Sequence, residues 1–228
     1  MIKKTFIAII LARGGSKGIK NKNLKIINKK PLIFWSFLNC LKSKMISETW
    51  ISSDSNKILD YAKKNKINLI KRPKKFAKDN SSSESAWLHA IKFIENKGKK
   101  IDYVVGIQPT SPIRAKNDLN KAVNLFIIKK FDSLFSSSVI NDFFIWEKKS
   151  KTLKANYNFK KRKPRQQINE NFLENGSFYI FNSNRFKKEK CRLFGKIGTY
   201  IQSKIYSFQL DDMDDFFILN SIFKGLKK

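Results

Sequence analysis

Residues 5–23 read TFIAIILARGGSKGIKNKN and join an apolar run directly to a loop rich in glycine and cationic side chains. The run at 5–11 is continuously apolar, which is typical of a strand buried on both faces. The loop carries Arg13, Lys17 and Lys22. Its glycines allow backbone N–H groups to approach an anion closely, and arginine binds phosphate oxygens through two donors. We therefore expect a polyphosphate site after a first strand, with a solvated basic turn as the alternative.

The rest of the chain alternates strands with helices. Further strands are predicted at 48–52, 67–70, 102–107 and 133–140. Helices are predicted at 31–43, 55–64, 81–96 and 117–130, and SSSE at 81–84 is typical of a capping box. This alternation predicts an α/β fold with a doubly wound, mostly parallel sheet.

Ligands of such sheets bind at the carboxyl ends of the strands. The loops after Leu11, Ser52, Ile70 and Ile107 are therefore expected to meet at one site. The spacing of glycines in the first loop matches neither a Walker loop nor the GxGxxG pattern.

The alternation breaks at 141–172, a charged and partly aromatic excursion inside what is otherwise a single domain of residues 1–228. Its apolar side chains, Phe143, Phe144, Ile145 and Trp146, would be partly exposed in a monomer. We expect a hairpin arm that contacts a second subunit in a homodimer. After it, strands are predicted at 177–181 and 205–210, and a last helix from about Asp214.

The formal net charge is +30 over 228 residues. Such a charge indicates a polyanionic partner, but the lysines are spread over nearly every segment, which favours compositional drift, and we expect no specific nucleic acid. Cys40 and Cys191 match no metal spacing and are expected to be reduced thiols of a cytoplasmic protein. The apolar run near the N-terminus is too short to span a membrane and lacks a cleavage site, so no membrane association is expected.

Several polar segments have both a structural and a functional interpretation. SSDS at 52–55 is a helix cap or part of the site, and KRP at 71–73 is a surface turn or part of the site. QPTSPIR at 108–114 follows a buried strand, and ENGS at 174–177 precedes one. DDMDD at 211–215 is an acidic cluster that suits either Mg²⁺ or the start of a helix.

Together these segments resemble the bacterial CMP-sialic acid synthetases, the acylneuraminate or nonulosonate cytidylyltransferases. The loop at 12–23 and the QPTSPIR segment at 108–114 match family motifs, as do Arg165-Gln166 and NGSFYI at 175–180. The resemblance covers nearly the whole chain. It implies a nucleotide-diphospho-sugar transferase-like fold, an arm that reaches the neighbouring subunit, and coupling of CTP to a nonulosonic acid to give CMP-sugar and pyrophosphate for surface glycans.

The resemblance also implies roles for individual residues. Catalytic roles fall on Arg13, Lys22 and Asp211. Nucleotide binding falls on Ala12, Arg13, Gly14, Ser16, Lys22, Asn23, Arg72 and Ser83. Sugar binding falls on Gln108, Thr110, Ser111, Arg114, Arg165, Gln166, Asn175 and Tyr179.

Members of this family carry an Asp-X-Asp pair that binds Mg²⁺ or Mn²⁺. In one alignment frame the second aspartate is Asp211 and the first is replaced by Gln209; in the alternative frame the pair is Asp212 and Asp214. The single histidine, His89, lies within a predicted helix and is expected to be a packing residue.

Two other functions remain open from the sequence. One is a cytidylyltransferase for the eight-carbon keto acid of lipopolysaccharide, and the other is a basic nucleic-acid-binding protein. Neuraminic, legionaminic and pseudaminic acids differ in stereochemistry and acylation, which the shape of a pocket distinguishes.

Overall fold

The computed structural model describes residues 4–16, 18–140 and 144–226, except the side chain of Arg165, and in these ranges strands and helices alternate. The strands are β1 (Phe6–Leu11), β2 (Ile26–Ile27), β3 (Lys30–Pro31), β4 (Glu48–Ser53), β5 (Asn68–Lys71), β6 (Tyr103–Ile107), β7 (Ser133–Ile140), β8 (Trp146–Lys149), β9 (Thr152–Ala155), β10 (Asn171–Asn182) and β11 (Ile197–Ile201). The α-helices are α1 (Leu32–Leu41), α2 (Asn56–Lys64), α3 (Ser83–Glu95), α4 (Asp118–Ile128), α5 (Ser183–Glu189) and α6 (Met213–Gly225).

Seven strands form the central sheet in the order β11-β7-β10-β6-β1-β4-β5. Strand β1 pairs in parallel with β4 on one edge and with β6 on the other, and β5 extends the parallel part. Strand β10 is antiparallel to both β6 and β7. The predicted doubly wound, mostly parallel sheet is therefore confirmed.

Alternate residues of β1 pack into two apolar cores, one on each face of the sheet. Ala8 and Ile10 pack with helices α1, α2 and α4 on one face of the sheet. Ile7 and Ile9 pack with α3 and α5 on the other face. Because both faces are covered by helices, an uninterrupted apolar run is the pattern that this strand requires.

The prediction of a strand at 205–210 is wrong. The segment forms a 3-10 turn at Lys204–Tyr206 and then runs without regular structure to α6. Its last residue, Leu210, is buried in a third apolar cluster, and its N–H donates to the Thr110 carbonyl. Burial against α6 and the loop after β6 thus replaces pairing within the sheet.

The sequence pattern missed strand β11 and helix α5. Strand β11 pairs only with β7 at the edge of the sheet, and its end residues Ile197 and Ile201 are exposed. Helix α5 has only seven residues. Neither element has the length or the apolar run that makes a local pattern recognisable.

The predicted capping box at 81–84 is also wrong in detail. The N-cap of α3 is Ser82, whose side-chain oxygen accepts a hydrogen bond from the Ser85 N–H at 3.2 Å. Glu84 pairs instead with Arg192.

Within the excursion, β8 and β9 form an antiparallel hairpin that is separate from the central sheet. Its apolar residues Ile145, Trp146 and Leu153 are exposed. Phe143, one of the residues expected to lie in the arm contact, is outside the described residues.

The longest α-helices, α3 and α6, have 13 residues each. Over the described ranges, no helix combines the length and the apolar content that crossing a bilayer requires.

Gly106 in β6 makes room for the fully buried Trp87 of α3, because a Cβ at this glycine would lie 2.6 Å from the indole ring. We expect Gly106→Ala to lower the free energy of unfolding by about 1–3 kcal/mol through overpacking. Urea unfolding measures this change. Gly225→Ala, where no atom lies within 4 Å of the added carbon, is the control and should be as stable as the unsubstituted chain or slightly more so. Equal stability of the two variants would contradict the close packing of Trp87.

Candidate active site

A cavity of about 580 Å³ opens at the carboxyl ends of β1, β5 and β6. Its lining residues come from the first loop, the segment after β5, the start of α3, the loop after β6 and the segment before α6. They are Leu11, Arg13, Ser16, Gly18, Lys22, Asn23, Arg72, Phe76, Ala77, Lys78, Asp79, Ser81, Ser82, Ser83, Ala86, Gln108, Pro109, Thr110, Gln209 and Asp211. The structure thus brings together the strand-end loops at the edge where we expected a site.

The first loop is held from behind by the segment after β4. The Gly14 N–H donates to Asp54 Oδ1 at 2.9 Å, and the Ala12 N–H donates to the Ser52 carbonyl at 3.1 Å. Neither of these N–H groups is left to bind phosphate, in contrast to the prediction for Ala12 and Gly14. Asn23 donates to the Arg13 carbonyl at 3.0 Å and fixes the loop from the other side.

Two cations of the loop are paired with carboxylates of the cavity. Arg13 lies 2.6 Å from Asp79, and Lys22 lies 2.8 Å from Asp211. All four side chains line the cavity, so an anionic ligand can displace the carboxylates from the cations. Asp79 was not among the residues predicted from the sequence, although it is an acidic residue in a lysine-rich segment between two site motifs.

Arg72 is nearly fully buried and lies directly below the cavity. One of its terminal nitrogens donates to the Ser52 carbonyl at 2.8 Å, and the other donates to the Phe76 carbonyl at 3.4 Å. Burial lowers the pKa of Arg72 to about 10, against the opposing effect of Asp54. The guanidinium therefore remains charged at neutral pH and adds a fixed positive charge.

The first turn of α3 faces the same space. Ser82, Ser83 and Ala86 line the cavity. The first N–H groups of a helix have no partner within the helix and favour an anion. This turn and the cations opposite it make one side of the cavity suitable for a polyphosphate.

The opposite side is formed by the loop after β6, and the irregular turn of β10 around Gly176 lies behind it. Gln108 and Thr110 line the cavity. Gly176 has a φ of 62°, and a Cβ at this position would lie 2.6 Å from Gln108 Oε1 and 3.1 Å from Gln209 Nε2. The positive φ favours glycine at this position, and the ends of the two amide side chains lie close to its backbone.

Three predicted sugar-binding residues lie behind this wall and use their polar groups within the protein. Arg114 donates to the Ser177 carbonyl at 2.7 Å and to the Gln108 carbonyl at 3.2 Å. Ser111 donates to the carbonyl of Asn175 at 3.2 Å. These bonds tie the loop after β6 to β10, so the geometry favours support of the wall over direct contact with a ligand.

Asn175 itself is buried at the centre of a hydrogen-bond network. Its side-chain oxygen accepts from the Ser136 hydroxyl at 2.6 Å, and its amide nitrogen donates to Gln202 Oε1 at 3.0 Å. Gln202 in turn donates to Asp118 at 2.7 Å. The network fixes the turn that contains Gly176.

Two further predicted sugar residues, Tyr179 and Gln166, are also outside the cavity lining. Tyr179 is buried, and its hydroxyl donates to the Glu174 carboxylate. Burial, followed by that carboxylate, raises the pKa of Tyr179. Gln166 is exposed in the arm, and the side chain of Arg165 lies outside the described part of the chain.

The acidic cluster divides into two parts. Asp211 lies in the cavity, where its backbone oxygen would be 2.5 Å from a Cβ on Gly18. Asp212 caps α6 in a capping box with Asp215, and Asp214 lies in the exposed first turn of that helix. The geometry therefore supports the alignment frame that assigns Asp211, with Gln209 beside it in the cavity.

Magnesium binds oxygen ligands and commonly takes one or two protein carboxylates together with substrate phosphates and water. Asp211 offers a mostly exposed carboxylate and Gln209 an amide oxygen. No group of three or more potential His, Cys, Asp or Glu ligands occurs in the described ranges. The residues present fit an ion that is shared with a phosphate ligand.

His89 is partly buried beside Phe76, with ring centroids 5.2 Å apart, and does not line the cavity. Burial lowers the pKa of His89 below its ordinary value of 6.5, and Arg72 and Lys75 lower it further. The position agrees with a packing role.

Because the pKa of His89 is lower in the folded chain, the unfolded state binds its proton more readily below pH 6.5. We expect stability to fall as the pH drops through the unfolded pKa towards the folded one, and to fall less in His89→Gln. Urea unfolding of both proteins at several pH values between about 7.5 and 5 measures the difference. Parallel pH profiles would show that His89 does not contribute.

The sheet, the glycine-containing loop at the end of β1 and the cationic cavity are those of a nucleotide-binding α/β protein. Residues 7–215 match the family model described as cytidylyltransferase. The chain belongs to the cytidylyltransferase family.

Relatives of known name agree with this assignment. The chain is 34% identical over 218 residues to an N-acylneuraminate cytidylyltransferase of Oncorhynchus mykiss, covering 93% of this chain and 49% of the relative. It is 27% identical to the pseudaminic acid cytidylyltransferase of Campylobacter jejuni, covering 96% of both chains. It therefore spans about half the length of the first relative and nearly all of the second.

Solved structures confirm the fold. A CMP:2-keto-3-deoxy-manno-octonic acid synthetase complexed with CTP superposes with a TM-score of 0.71 at 12% identity, over 98% of this chain and 100% of the other. At this identity the likeness concerns the fold alone.

Proposed function

We propose that this protein couples CTP to a nonulosonic acid and releases pyrophosphate. The observation that carries the proposal is the composition of the cavity described above. Arg13, Lys22 and Arg72 line it together with Gln108 and Gln209. The cationic part suits a triphosphate, and the amides suit a sugar with many hydroxyl groups.

The relatives support this substrate class, because two of them are named for N-acylneuraminate and pseudaminic acid. The eight-carbon acid has weaker support, since its synthetase resembles this chain in fold at 12% identity. Cations concentrated inside a cavity also favour a small anionic ligand over nucleic acid.

The reaction requires no covalent intermediate with the protein. The oxygen of the sugar's anomeric hydroxyl attacks the α-phosphorus of CTP. The bond between the α-phosphorus and the oxygen that bridges it to the β-phosphorus breaks, and pyrophosphate leaves. Asp79 and Asp211 are the carboxylates of the cavity lining and can accept the hydroxyl proton. The protein must hold two anions together and stabilise the charge on pyrophosphate.

Arg13 and Lys22 supply that stabilisation. Each of these cations exchanges its carboxylate partner for phosphate oxygens when the substrate binds. The charge-assisted bonds to these oxygens strengthen as the leaving pyrophosphate gains charge. Asp211 and Gln209 would hold a Mg²⁺ or Mn²⁺ ion, whose charge would assist beside the phosphates.

The direct test is incubation of the protein with CTP, Mg²⁺ and a panel of neuraminic, legionaminic and pseudaminic acids, with release of pyrophosphate as the measurement. We expect one of these acids to be preferred, and UTP in place of CTP is the control. Release only with the eight-carbon keto acid would establish the alternative substrate. Salt-sensitive binding of DNA without any turnover would refute the enzyme assignment.

The metal assignment has its own test in a matched pair of substitutions. We expect Asp211→Asn to reduce turnover by about 10²-fold or more, because a neutral ligand weakens a site for a hard cation. Gln209→Asp should lower the Mg²⁺ concentration needed for the half-maximal rate. Magnesium titrations of both variants measure these effects.

Asp214→Asn is the control for this pair and should retain most activity, because Asp214 lies in the first turn of α6 and outside the cavity lining. An inactive Asp214→Asn beside an active Asp211→Asn would establish the Asp212 and Asp214 frame instead.

The arm supports a further part of the proposal, a homodimer. Exposed side chains of the hairpin and the turn after it, Trp146, Leu153 and Phe159, form an apolar surface in a strongly charged segment. Light scattering at micromolar concentration should give the mass of two chains, and Leu153→Glu should weaken the association. A monomeric mass for the unsubstituted chain would contradict the dimer.

We also assign the protein to the cytoplasm. Cys40 and Cys191 are both free thiols. Cys40 is buried, and burial raises its pKa to about 12. Reduced cysteines and the use of CTP are consistent with that compartment.

A further inference from the structure

Arg192, in the loop between α5 and β11, is enclosed by two aromatic rings and a carboxylate. Its guanidinium carbon lies 4.8 Å from the ring centroid of Trp87 and 4.8 Å from that of Tyr179. Its Nε donates to Glu84 Oε1 at 2.6 Å. The planar guanidinium can stack on aromatic faces while it donates from its edge, which a lysine cannot do.

Two partners of Arg192, Glu84 and Trp87, lie next to residues on the phosphate side of the cavity. Glu84 and Trp87 belong to the first two turns of α3. Ser83 and Ala86, their immediate neighbours in the chain, line the cavity. A change in the position of this helix start therefore moves the side of the cavity assigned to the nucleotide.

The other partner leads to the opposite side. Tyr179 lies in β10 and donates to Glu174, which precedes the turn that contains Gly176. The backbone of Gly176 contacts the side chains of Gln108 and Gln209. Tyr179 therefore connects Arg192 to the side assigned to the sugar acid.

We propose that Arg192 is a positioning residue that fixes the distance between the first turns of α3 and strand β10, and with it the distance between the two bound substrates. The proposal rests on the proposed function, because the two sides of the cavity are assigned by it. Arg192 itself is not among the lining residues and makes no contact with the reacting atoms.

The two halves of the cavity keep their own ligands when Arg192 is replaced, so each substrate should still bind. What changes is the relative placement of the attacking hydroxyl and the α-phosphorus, on which the rate depends steeply. The expected result is a loss in kcat with little change in the affinity for CTP.

The variants are Arg192→Gln and Arg192→Lys, with Arg185→Gln as the matched control. Arg185 also stacks on a ring, that of Phe194 at 4.9 Å, and pairs with Asp132 at 2.7 Å, but its partners do not line the cavity. Calorimetric titration with CTP gives the number of binding sites, and kcat is expressed per titrated site.

We expect Arg192→Gln to lower kcat by about 10²-fold and Arg192→Lys by about 10-fold, with the dissociation constant for CTP changed by less than about 3-fold. Arg185→Gln should stay within about 2-fold of the unsubstituted chain. A purely structural role would reduce the number of sites that bind CTP and leave kcat per site normal, and that result would overturn the proposal. If Arg192→Gln does not fold, the same measurements are made on Glu84→Gln. This variant weakens the bond to Glu84 but leaves the Arg192 guanidinium against the two aromatic rings.

Hydrogen exchange provides a second measurement that does not need turnover. In Arg192→Gln, amides at 83–88 and 174–179 should exchange faster than in Arg185→Gln, because only the direct packing of Trp87 on Tyr179 then joins the two segments. If the unsubstituted chain releases no pyrophosphate with any sugar acid, the proposed function fails. The hydrogen-exchange rates then test by themselves whether Arg192 connects α3 with β10. Unchanged exchange in both segments would overturn the role of Arg192.

Discussion

The burial of strand β1 is the constraint on which the site depends. Its residues from Phe6 to Ile10 are almost completely excluded from solvent, and both of its edges pair with parallel neighbours. A strand held in this way cannot shift its register without moving two apolar cores, because a one-residue slip exchanges its faces. The loop that begins at Ala12 therefore leaves the sheet from a fixed point, and Arg13 projects over the cavity from a rigid support.

The antiparallel strand β10 gives the opposite side of the cavity a different kind of support. Its pairing with β7 shifts register between Glu174 and Tyr179, where a turn containing Gly176 lies behind Gln108 and Gln209. Ser136 and Arg114 donate buried hydrogen bonds to this turn, and Gln202 accepts one from the Asn175 amide. Apolar packing positions the phosphate side, whereas a polar network positions the other side.

The sequence predicted those parts of the fold whose pattern is local. The apolar run of β1, the helices α1 to α4 and the loop with Arg13 follow from periodicity and glycine content alone. Strand β11 and the course of 205–210 could not be predicted in this way. Strand β11 is a short edge strand and 205–210 is buried by contact with α6, so both depend on residues far away in the chain.

The same distinction holds for the site. Arg13, Lys22 and Gln108 lie in the cavity as the motifs indicated, since each belongs to a loop that leaves the end of a strand. The positions of Arg114 and Asn175 behind the wall depend on partners that only the fold brings near, the Ser177 carbonyl for Arg114 and Gln202 for Asn175. Motif spacing does not contain that information. Glu84, which accepts a hydrogen bond from Arg192, lies 108 residues before it in the chain. No local sequence pattern extends over such a separation.

The pairing of Arg13 with Asp79 and of Lys22 with Asp211 has a consequence for selectivity in a chain of net charge +30. A small monovalent ion that enters the cavity exchanges one charge contact for another and gains little. A triphosphate carries enough charge to displace both carboxylates at once, and the cost of separating the two pairs is met only by such a ligand. The internal carboxylates thus compete with small anions for the cations of this cavity.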